Sequence, residues 1–504
     1  MATTVTIGGA PLTDAEVVAV ARRGARVAIA PEALAAMSAS RAIIDRLADD
    51  SRPHYGVSTG FGALATQHIP VERRVELQRS LVRSHAASSG PEVEREVVRA
   101  TMLLRLATLA TGRTGVRPAL AEVYAAMLNA GISPAIGEYG SLGCSGDLAP
   151  LAHIALAAMG EGEVRVDGRL CGAGEALADA GIRPVELHEK EGLALINGTD
   201  GMLGMLCLAL ADLDRLLVTA DLAAAMSIEG LAGTDSVFAA DLQALRPHPG
   251  QAASAAVIRG LLADSPVLAG HRSTGFTRVQ DAYSLRCAPQ VHGAARDTVQ
   301  HARGVARIEL ASAIDNPVVT IDGRVESNGN FHGAPLGYVL DFLAIAAADV
   351  ASMSERRTDR LLDRSRSGGL PPFLASDPGV DSGHMIAQYT QAGIVSEMKR
   401  LAVPASVDSI PTSAMQEDHV SMGWSAARKL RRSIDGLGRV LAIELVTAAR
   451  GIELRGEGSA PATARVLAAL RRRIPGVGPD RFLAPEIRAA VELVSEGELV
   501  EGLG

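Results

Sequence analysis

The stretch from residue 140 to 150 reads GSLGCSGDLAP and contains four small residues in a row, Gly-Cys-Ser-Gly. Glycine adopts backbone conformations that other residues avoid, so the chain can curl sharply here and bring the nitrogen of Gly146 against the carbonyl carbon of Cys144. If that nitrogen attacks and two waters leave, one of them from the Ser145 hydroxyl, the product is a five-membered ring with an exposed methylene. Such a ring is an electrophile, which no ordinary side chain supplies.

Taken by themselves, these residues also fit a simple turn, with Asp147 as the N-cap of a helix that begins at Leu148. The flanking sequence favours the electrophile, because residues 140–162, GSLGCSGDLAPLAHIALAAMGEG, resemble the signature of the histidine/phenylalanine ammonia-lyase family. That family makes a 4-methylidene-imidazol-5-one (MIO) group from an Ala-Ser-Gly triad. Here Cys144 stands in place of Ala. Because only the carbonyl carbon of this residue enters the ring and its side chain stays outside, the resemblance implies that MIO forms from the Cys-Ser-Gly triad.

The composition of the 504-residue chain fits a large soluble protein. Apolar residues make up 47%, with one Trp and six Tyr, so a core of Ala, Leu, Val and Ile is expected. The formal charge of −8 is spread without runs, which argues against binding to nucleic acid or to anionic membranes. Because neither a secretory signal nor a bilayer-spanning stretch is evident, and the four cysteines are widely spaced, the sequence predicts a cytoplasmic protein with reduced thiols. The cysteines are Cys144, Cys171, Cys207 and Cys287.

The chain changes character near residue 196, from a mixed N-terminal part to an α-helical remainder. In the first part Thr3–Ile7 predicts a strand, Thr13 and Pro31 predict helix starts, and EVRVDGR at 163–169 predicts a hairpin. Long Ala/Leu/Asp/Arg segments with few breakers follow, and they predict a bundle of long helices. These segments are 201–230, 290–314, 335–365, 383–402 and 419–451. The predicted fold is mainly α, a bundle of long helices with a mixed N-terminal part that carries the MIO loop. The two predicted domains are residues 1–196 and 197–504.

A glycine-rich loop, HYGVSTGFGALA at residues 54–65, contains Tyr55. By itself the segment indicates a surface turn anchored by an aromatic side chain. Beside the Cys-Ser-Gly triad it resembles the family's Tyr-Gly-Val-Asn-Thr-Gly-Phe-Gly loop, with Ser58 in place of Asn. The resemblance implies that Tyr55 is the base that removes the β-proton of the substrate. A phenol needs a lowered pKa for that task, which a nearby positive charge or electrophile can supply.

Two further segments resemble the family. LQRSLVRSH at residues 77–85 ends in His85, which the resemblance puts in the pocket for the substrate ring; a histidine at a helix end is otherwise more often structural. EGLALINGT at residues 191–199 reads first as an apolar run that ends in a turn. It matches a family motif in which Asn197 contacts the electrophile and the substrate.

Two later segments also match. QDAYSLRC at residues 280–287 implies that Arg286 pairs with the substrate carboxylate as a bidentate fork, and that Tyr283 lies by the electrophile as a proton donor or second hydroxyl. Without the motif, Arg286 reads as a surface or salt-bridged arginine. NFHG at residues 330–333 implies that Phe331 packs on the substrate.

PTSAMQEDHVSM at residues 411–422 bears on the identity of the substrate. Histidine-specific members have Gln-Glu-Asp-His here, whereas tyrosine and phenylalanine enzymes tend to have Asn-Gln-Asp followed by apolar residues. The resemblance implies that Gln416 and Glu417 bind substrate. An imidazole N–H needs an acceptor, which Glu417 can provide, whereas a phenyl ring gains nothing from a buried carboxylate. By itself Glu417 also fits a solvated helix start.

Three further residues depart from the family pattern. Met398 and Met415 stand in place of Asn, and His384 stands in place of Phe. Methionine adapts to irregular gaps, so a repacked interior explains the departures. A pocket reshaped for a substrate other than histidine is the alternative.

The resemblance runs from about Tyr55 to Arg455 through several segments in family order. It implies an MIO-dependent ammonia-lyase that converts L-histidine to trans-urocanate and ammonia, assembled as a homotetramer with active sites shared between subunits. No P-loop, dinucleotide fingerprint or metal-ligand pattern occurs in the sequence, so neither a metal nor another cofactor is expected. The alternatives are a tyrosine or phenylalanine ammonia-lyase, a 2,3-aminomutase with the same electrophile, and a catalytically silent helical scaffold.

Overall fold

A computed structural model describes residues 4–48, 54, 56, 58–60, 62–64, 67, 69–273 and 279–502. The chain forms two compact units, each made of three segments. The first unit comprises Met1–Ala211, Arg303–Leu340 and Pro404–Arg428, and the second comprises Asp212–Ala302, Asp341–Val403 and Lys429–Gly504. The predicted domain division at residue 196 stays a prediction.

α-Helices make up most of the described chain. Four are long: Asp200–Gly230, Ala288–Leu310, Ala334–Leu362 and Gly423–Arg455. The first unit also contains Asp14–Arg23, Pro31–Ala48, Arg74–His85, Arg95–Leu109, Pro118–Asn129, Leu148–Ala158, Ala173–Asp179 and Glu191–Ile196. The second unit also contains Ala240–Ala244, Pro249–Leu261, Pro266–Ser273, Tyr283–Arg286, Met385–Leu401, Pro461–Arg471 and Ala484–Glu496. The predicted long segments agree with these helices to within a few residues at most ends.

The helix starts follow local chemistry. Thr13 caps Asp14–Arg23 through a capping box, in which its hydroxyl accepts from the Glu16 N–H at 3.2 Å and the Glu16 carboxylate accepts from the Thr13 N–H at 2.9 Å. The helix ends at Gly24, whose φ of 66° is the left-handed conformation that glycine adopts at low cost. Pro31 begins the next helix, where its missing N–H is not needed.

The strands of the described residues lie in the first unit and are short. Thr4–Ile7 pairs in parallel with Arg26–Ile29, and Ser89–Glu92 pairs antiparallel with Gly137–Tyr139. The predicted hairpin is formed by Glu163–Val166 and Arg169–Gly172, joined by Asp167 and Gly168 with φ of 48° and 80°. Three two-residue strands complete the set: Ser133–Pro134, Val318–Val319 and Val325–Glu326.

The second unit buries charged side chains between its helices as hydrogen-bonded pairs. Arg357 and Glu444 are both fully buried, with Nε donating to Oε1 at 2.5 Å and Nη2 donating to Oε2 at 2.9 Å. The Ser227 hydroxyl donates to the same carboxylate at 2.7 Å. Because burial of a charge is costly unless its partners are in place, loss of either side chain would leave the other as an unpaired charge between the helices.

One helix of the described residues, Ala334–Leu362, is long and apolar enough to cross a membrane. Of its most apolar window, 61% is buried inside the structure, as in the core helices of soluble proteins.

Candidate active site

The loop that carries the Cys-Ser-Gly triad is held by the backbone of Gly198. Gly146 pairs with Gly198 in an isolated parallel bridge, and the Asp147 N–H donates to the Gly198 carbonyl at 2.7 Å. Gly146 has a φ of 90°, and a Cβ at this position would lie 2.1 Å from the Gly198 oxygen. Only glycine therefore fits the third position of the triad.

Asp147 takes the N-cap position of Leu148–Ala158, as the simple turn predicts, but its side chain makes no capping bond to that helix. The carboxylate instead accepts from the Gly201 and Met202 N–H groups at 2.8 and 3.0 Å, at the start of Asp200–Gly230, and from the Ser141 hydroxyl at 2.7 Å. Complete burial raises the pKa of the Asp147 carboxyl to about 7, although these donors lower it. Asp147 thus ties the electrophile loop to a long helix.

The carboxylate of Glu417 faces the triad. Its Oε1 accepts from the Ser145 hydroxyl at 2.6 Å, and its Oε2 accepts from the Cys144 thiol at 3.4 Å and from the Thr412 hydroxyl at 2.7 Å. Burial, and then the charge of Glu417, raise the pKa of the Cys144 thiol to about 12, so the thiol stays protonated and can donate. The residue predicted to recognise the substrate ring therefore touches the residue predicted to form the electrophile.

A tight turn brings Glu417 to the loop. Residues 413–415 have φ of 51°, 52° and 70°, a left-handed conformation that is uncommon for non-glycine residues. The backbones of Thr412 and Glu417 close the turn with two hydrogen bonds of 3.0 and 3.3 Å. Beyond it, the Ser421 hydroxyl donates to the Gly143 carbonyl at 2.6 Å. The segment 411–422 is thus bound to the electrophile loop at two points.

A cavity of about 410 Å³ opens beside Glu417. It brings together five of the predicted site residues: Cys144, Ser145, Phe331, Gln416 and Glu417. The remaining lining residues are Gly62, Asn316, Ser327, Asn328, His332, Asp418 and His419. Gly62 belongs to the loop predicted to carry the base, whereas Tyr55 itself lies outside the described residues.

Two histidines in this lining were not predicted to take part. The rings of His332 and His419 stack with centroids 5.5 Å apart, and the His419 Nδ1 lies 3.4 Å from the His332 Nε2. Both belong to motifs that resemble the family, NFHG and EDHVSM. Their position in those motifs is the sequence signal that could have identified them as site residues. The pair joins the segment of Phe331 to the segment of Glu417.

Asn197 ends the short helix Glu191–Ile196 directly before Gly198. Its amide nitrogen donates to the Asn316 carbonyl at 3.1 Å, whereas its Oδ1 is buried with no hydrogen-bond donor among the described residues. The fully buried Arg105 donates to the Asn197 carbonyl at 2.8 Å. Because a buried acceptor without a donor is costly, the Asn197 Oδ1 is suited to accept from a bound group.

His85 ends the helix Arg74–His85. Its Nδ1 lies 2.9 Å from the Leu81 carbonyl, which can only accept, so Nδ1 carries the hydrogen and Nε2 is left as an acceptor in the neutral ring. Burial lowers the pKa of His85, although the Leu81 carbonyl and the charge of Glu417 raise it. The side chain is therefore suited to accept a hydrogen bond near neutral pH.

Tyr283 and Arg286 belong to the second unit and form the ends of one four-residue helix. Tyr283 is 70% exposed, and the guanidinium of Arg286 lies over its ring, 4.7 Å from the centroid. The Arg286 Nε is buried with no hydrogen-bond partner in the described part of the chain. Tyr283 and Arg286 therefore place a phenol and a guanidinium next to each other.

The departures at Met398, Met415 and His384 differ in burial. Met398 is 1% exposed and lies beside Gly436, and the buried His384 places its Nδ1 3.1 Å from the Thr447 hydroxyl. Met415 is 66% exposed. The burial of Met398 and His384 favours a repacked interior at these two positions.

With this geometry in place, the comparisons identify the class of protein. Residues 12–472 match the family described as aromatic amino acid lyase, and the chain belongs to this family. It is 65% identical to a histidine ammonia-lyase of Streptomyces avermitilis, over 99% of this chain and 98% of the relative. A second histidine ammonia-lyase, from Streptomyces griseus, is 64% identical with the same coverage.

Two solved structures are similar over nearly the whole chain. A tyrosine aminomutase of Streptomyces globisporus shares 39% identity, with a TM-score of 0.93 over 99% of this chain and 98% of that one. A histidine ammonia-lyase of Trypanosoma cruzi shares 38% identity, with a TM-score of 0.91 over 99% and 95%. The family resemblance, the mainly α fold and the prediction of an ammonia-lyase are confirmed. The roles of individual site residues stay predictions.

Proposed function

We propose that this chain is a histidine ammonia-lyase, which eliminates ammonia from L-histidine to give trans-urocanate. The contact of Glu417 with Ser145, at 2.6 Å, carries the proposal. A carboxylate at this position gives the imidazole N–H an acceptor, whereas a phenyl ring would desolvate the carboxylate without donating a hydrogen bond to it. The identity of 64–65% with histidine ammonia-lyases over nearly the whole chain supports the same substrate.

We further propose that MIO forms from Cys144, Ser145 and Gly146. The glycine-only position at Gly146 and the bridge to Gly198 suit a backbone that must close into a ring. When formed, the group supplies an electrophile that turns the substrate amino group into a leaving group. Family membership supports this, because members of the family use MIO.

The other predicted residues would bind and orient the substrate. Arg286, with its unpartnered Nε, suits the carboxylate, and the Asn197 Oδ1 suits a donor such as the amino group. Tyr283 would lie by the electrophile as a proton donor or as a second hydroxyl beside that of Tyr55. The remaining roles come from the family resemblance. His85 would lie in the pocket for the ring, Phe331 would pack on the substrate, and Gln416 would bind it. Tyr55 would remove the β-proton.

We also propose a cytoplasmic homotetramer with shared active sites. Tyr338, Phe342 and Ile345 are 61%, 47% and 45% exposed and recur at helical spacing along Ala334–Leu362, which supports an apolar contact face. Light scattering coupled to size exclusion tests the assembly, and a monomeric mass would contradict it. The division at residue 196 is likewise a proposal, for which limited proteolysis is the test.

The activity is tested by offering L-histidine, L-tyrosine and L-phenylalanine separately to purified protein and recording ultraviolet spectra of the products. We expect urocanate from histidine and no turnover by Ser145→Ala, the matched control. Coumarate or cinnamate in place of urocanate would contradict the substrate.

The tyrosine aminomutase, with its TM-score of 0.93, favours a second candidate, a 2,3-aminomutase. It predicts a β-amino acid product, which chromatography separates from the unsaturated acid. Intact mass addresses a silent scaffold, because a chain with a formed ring is lighter than its sequence by two waters. An unmodified mass would favour the scaffold.

A further inference from the structure

The two oxygens of the Glu417 carboxylate have different kinds of donors. Oε1 is bound by the Ser145 hydroxyl at 2.6 Å. Oε2 is bound by the Thr412 hydroxyl at 2.7 Å and by the Cys144 thiol at 3.4 Å. Thr412 is itself fixed, since its backbone exchanges two hydrogen bonds with that of Glu417.

Ring formation affects only one of these oxygens. The Ser145 hydroxyl leaves as water, so Oε1 loses its donor and becomes an open acceptor beside the electrophile. The thiol stays on the α-carbon of Cys144 and the hydroxyl stays on Thr412, because neither takes part in ring closure. Oε2 would therefore keep both of its donors after ring closure.

We propose that Thr412 and Cys144 are positioning residues, which hold Oε2 of Glu417 so that Oε1 faces the imidazole N–H of the substrate. This inference rests on the proposed histidine ammonia-lyase function. It gives Cys144 a role beyond its backbone contribution to the ring. An alanine at position 144, as in the family pattern, would leave Thr412 as the sole side-chain donor to Oε2 among the described residues.

The Thr412 hydroxyl and the Cys144 thiol differ in strength as hydrogen-bond donors, and the hydroxyl is the stronger donor to a carboxylate. Loss of the Thr412 hydroxyl is expected to lower kcat/KM for L-histidine roughly 10- to 100-fold. A thiol is a weak donor, so loss of the Cys144 thiol is expected to lower it only about threefold. Because both donors hold the same oxygen, the double variant should lose more than the product of the two single effects.

The experiment uses pairs of variants that separate the donor from the shape. Thr412→Val keeps the shape and removes the hydroxyl, whereas Thr412→Ser keeps the hydroxyl; Cys144→Ala and Cys144→Ser form the second pair. Intact mass checks ring formation in each variant, and kcat and KM are measured with L-histidine. Calorimetric binding of urocanate gives a readout that does not depend on turnover.

We expect all variants to be lighter than their sequences by two waters. Thr412→Val should weaken both kcat/KM and urocanate binding, and Thr412→Ser should restore them. Equal losses of kcat/KM in Thr412→Val and Thr412→Ser would assign the effect to packing and overturn the proposal. Wild-type values of kcat/KM in the double variant Thr412→Val/Cys144→Ala would also overturn it. A ring missing from Thr412→Val but present in Thr412→Ser would assign the hydroxyl to ring formation instead.

Failure of the proposed function would be visible in the wild-type protein, as turnover of another amino acid or none. If the wild type acts on another amino acid, the Val/Ser comparison on that substrate still decides whether the hydroxyl matters. If Thr412→Val then loses as much activity as is expected with L-histidine, on a substrate without an imidazole, the assignment of Oε1 to the imidazole N–H would be overturned. If the wild type acts on none, the proposal falls with the function.

Discussion

Exchange of Glu417 for Gln tests substrate recognition at a single atom. In the structure Oε2 faces two donors, the Thr412 hydroxyl at 2.7 Å and the Cys144 thiol at 3.4 Å. Glutamine has one acceptor oxygen, which these donors would hold, so its amide nitrogen would take the place of Oε1. There an amide N–H would face the imidazole N–H, and two donors would oppose each other.

The magnitude follows from the bonds that are lost. A hydrogen bond to a charged group contributes about 1.5–3 kcal/mol, and a buried donor without a partner costs about 1–3 kcal/mol. A combined loss of about 3 kcal/mol or more lowers kcat/KM for L-histidine roughly 100-fold or more. The assay is the rate of urocanate formation, with intact mass as the control for ring formation and Thr412→Ser as a neighbouring variant expected to stay active. A ring-bearing Glu417→Gln enzyme within about threefold of the wild-type kcat/KM would refute the reasoning.

Three further predictions concern ring formation and stability. Gly146→Ala should yield protein of unmodified mass, because the new Cβ would lie 2.1 Å from the Gly198 oxygen; a chain lighter by two waters would contradict this. His384→Phe should reduce the acid sensitivity of stability. Burial lowers the pKa of His384 to about 3. As the pH falls, the unfolded chain therefore binds the proton first. This lowers the free energy of unfolding of the wild type by about 2 kcal/mol between pH 6.5 and pH 5. Urea unfolding at pH 5 and 7.5 measures this, and parallel pH dependences in the two proteins would contradict it. Glu444→Ala leaves the buried Arg357 charge without its carboxylate and should lower the free energy of unfolding by about 3–5 kcal/mol, whereas a change below about 1 kcal/mol would contradict the buried pair.

Much of the helical framework could be predicted from the spacing of apolar residues and from helix caps. The segment 201–230 predicts Asp200–Gly230 almost to the residue, because few breakers interrupt it. The last long helix shows the limit: it was predicted from residue 419 but begins at Gly423. The preceding residues serve another purpose, since Ser421 binds the electrophile loop and Met422 has a φ of 52°.

The candidate site was predictable where a motif marked it and not where long-range contacts define it. Cys144, Ser145 and Glu417 could be grouped because each lies in a segment that resembles the family. The side chain of Asp147 could not be assigned from local sequence, because it caps a helix that begins far along the chain instead of its own. The hydrogen bond from Thr412 likewise depends on a left-handed turn of non-glycine residues, which local propensity disfavours.

The central claim, elimination of ammonia from L-histidine, is tested most directly by competition. Wild-type protein is given an equimolar mixture of L-histidine, L-tyrosine and L-phenylalanine, and the products are separated and identified by mass. The account predicts trans-urocanate as the main product, absent when Ser145→Ala replaces the wild type. Coumarate, cinnamate or a β-amino acid as the main product would contradict it.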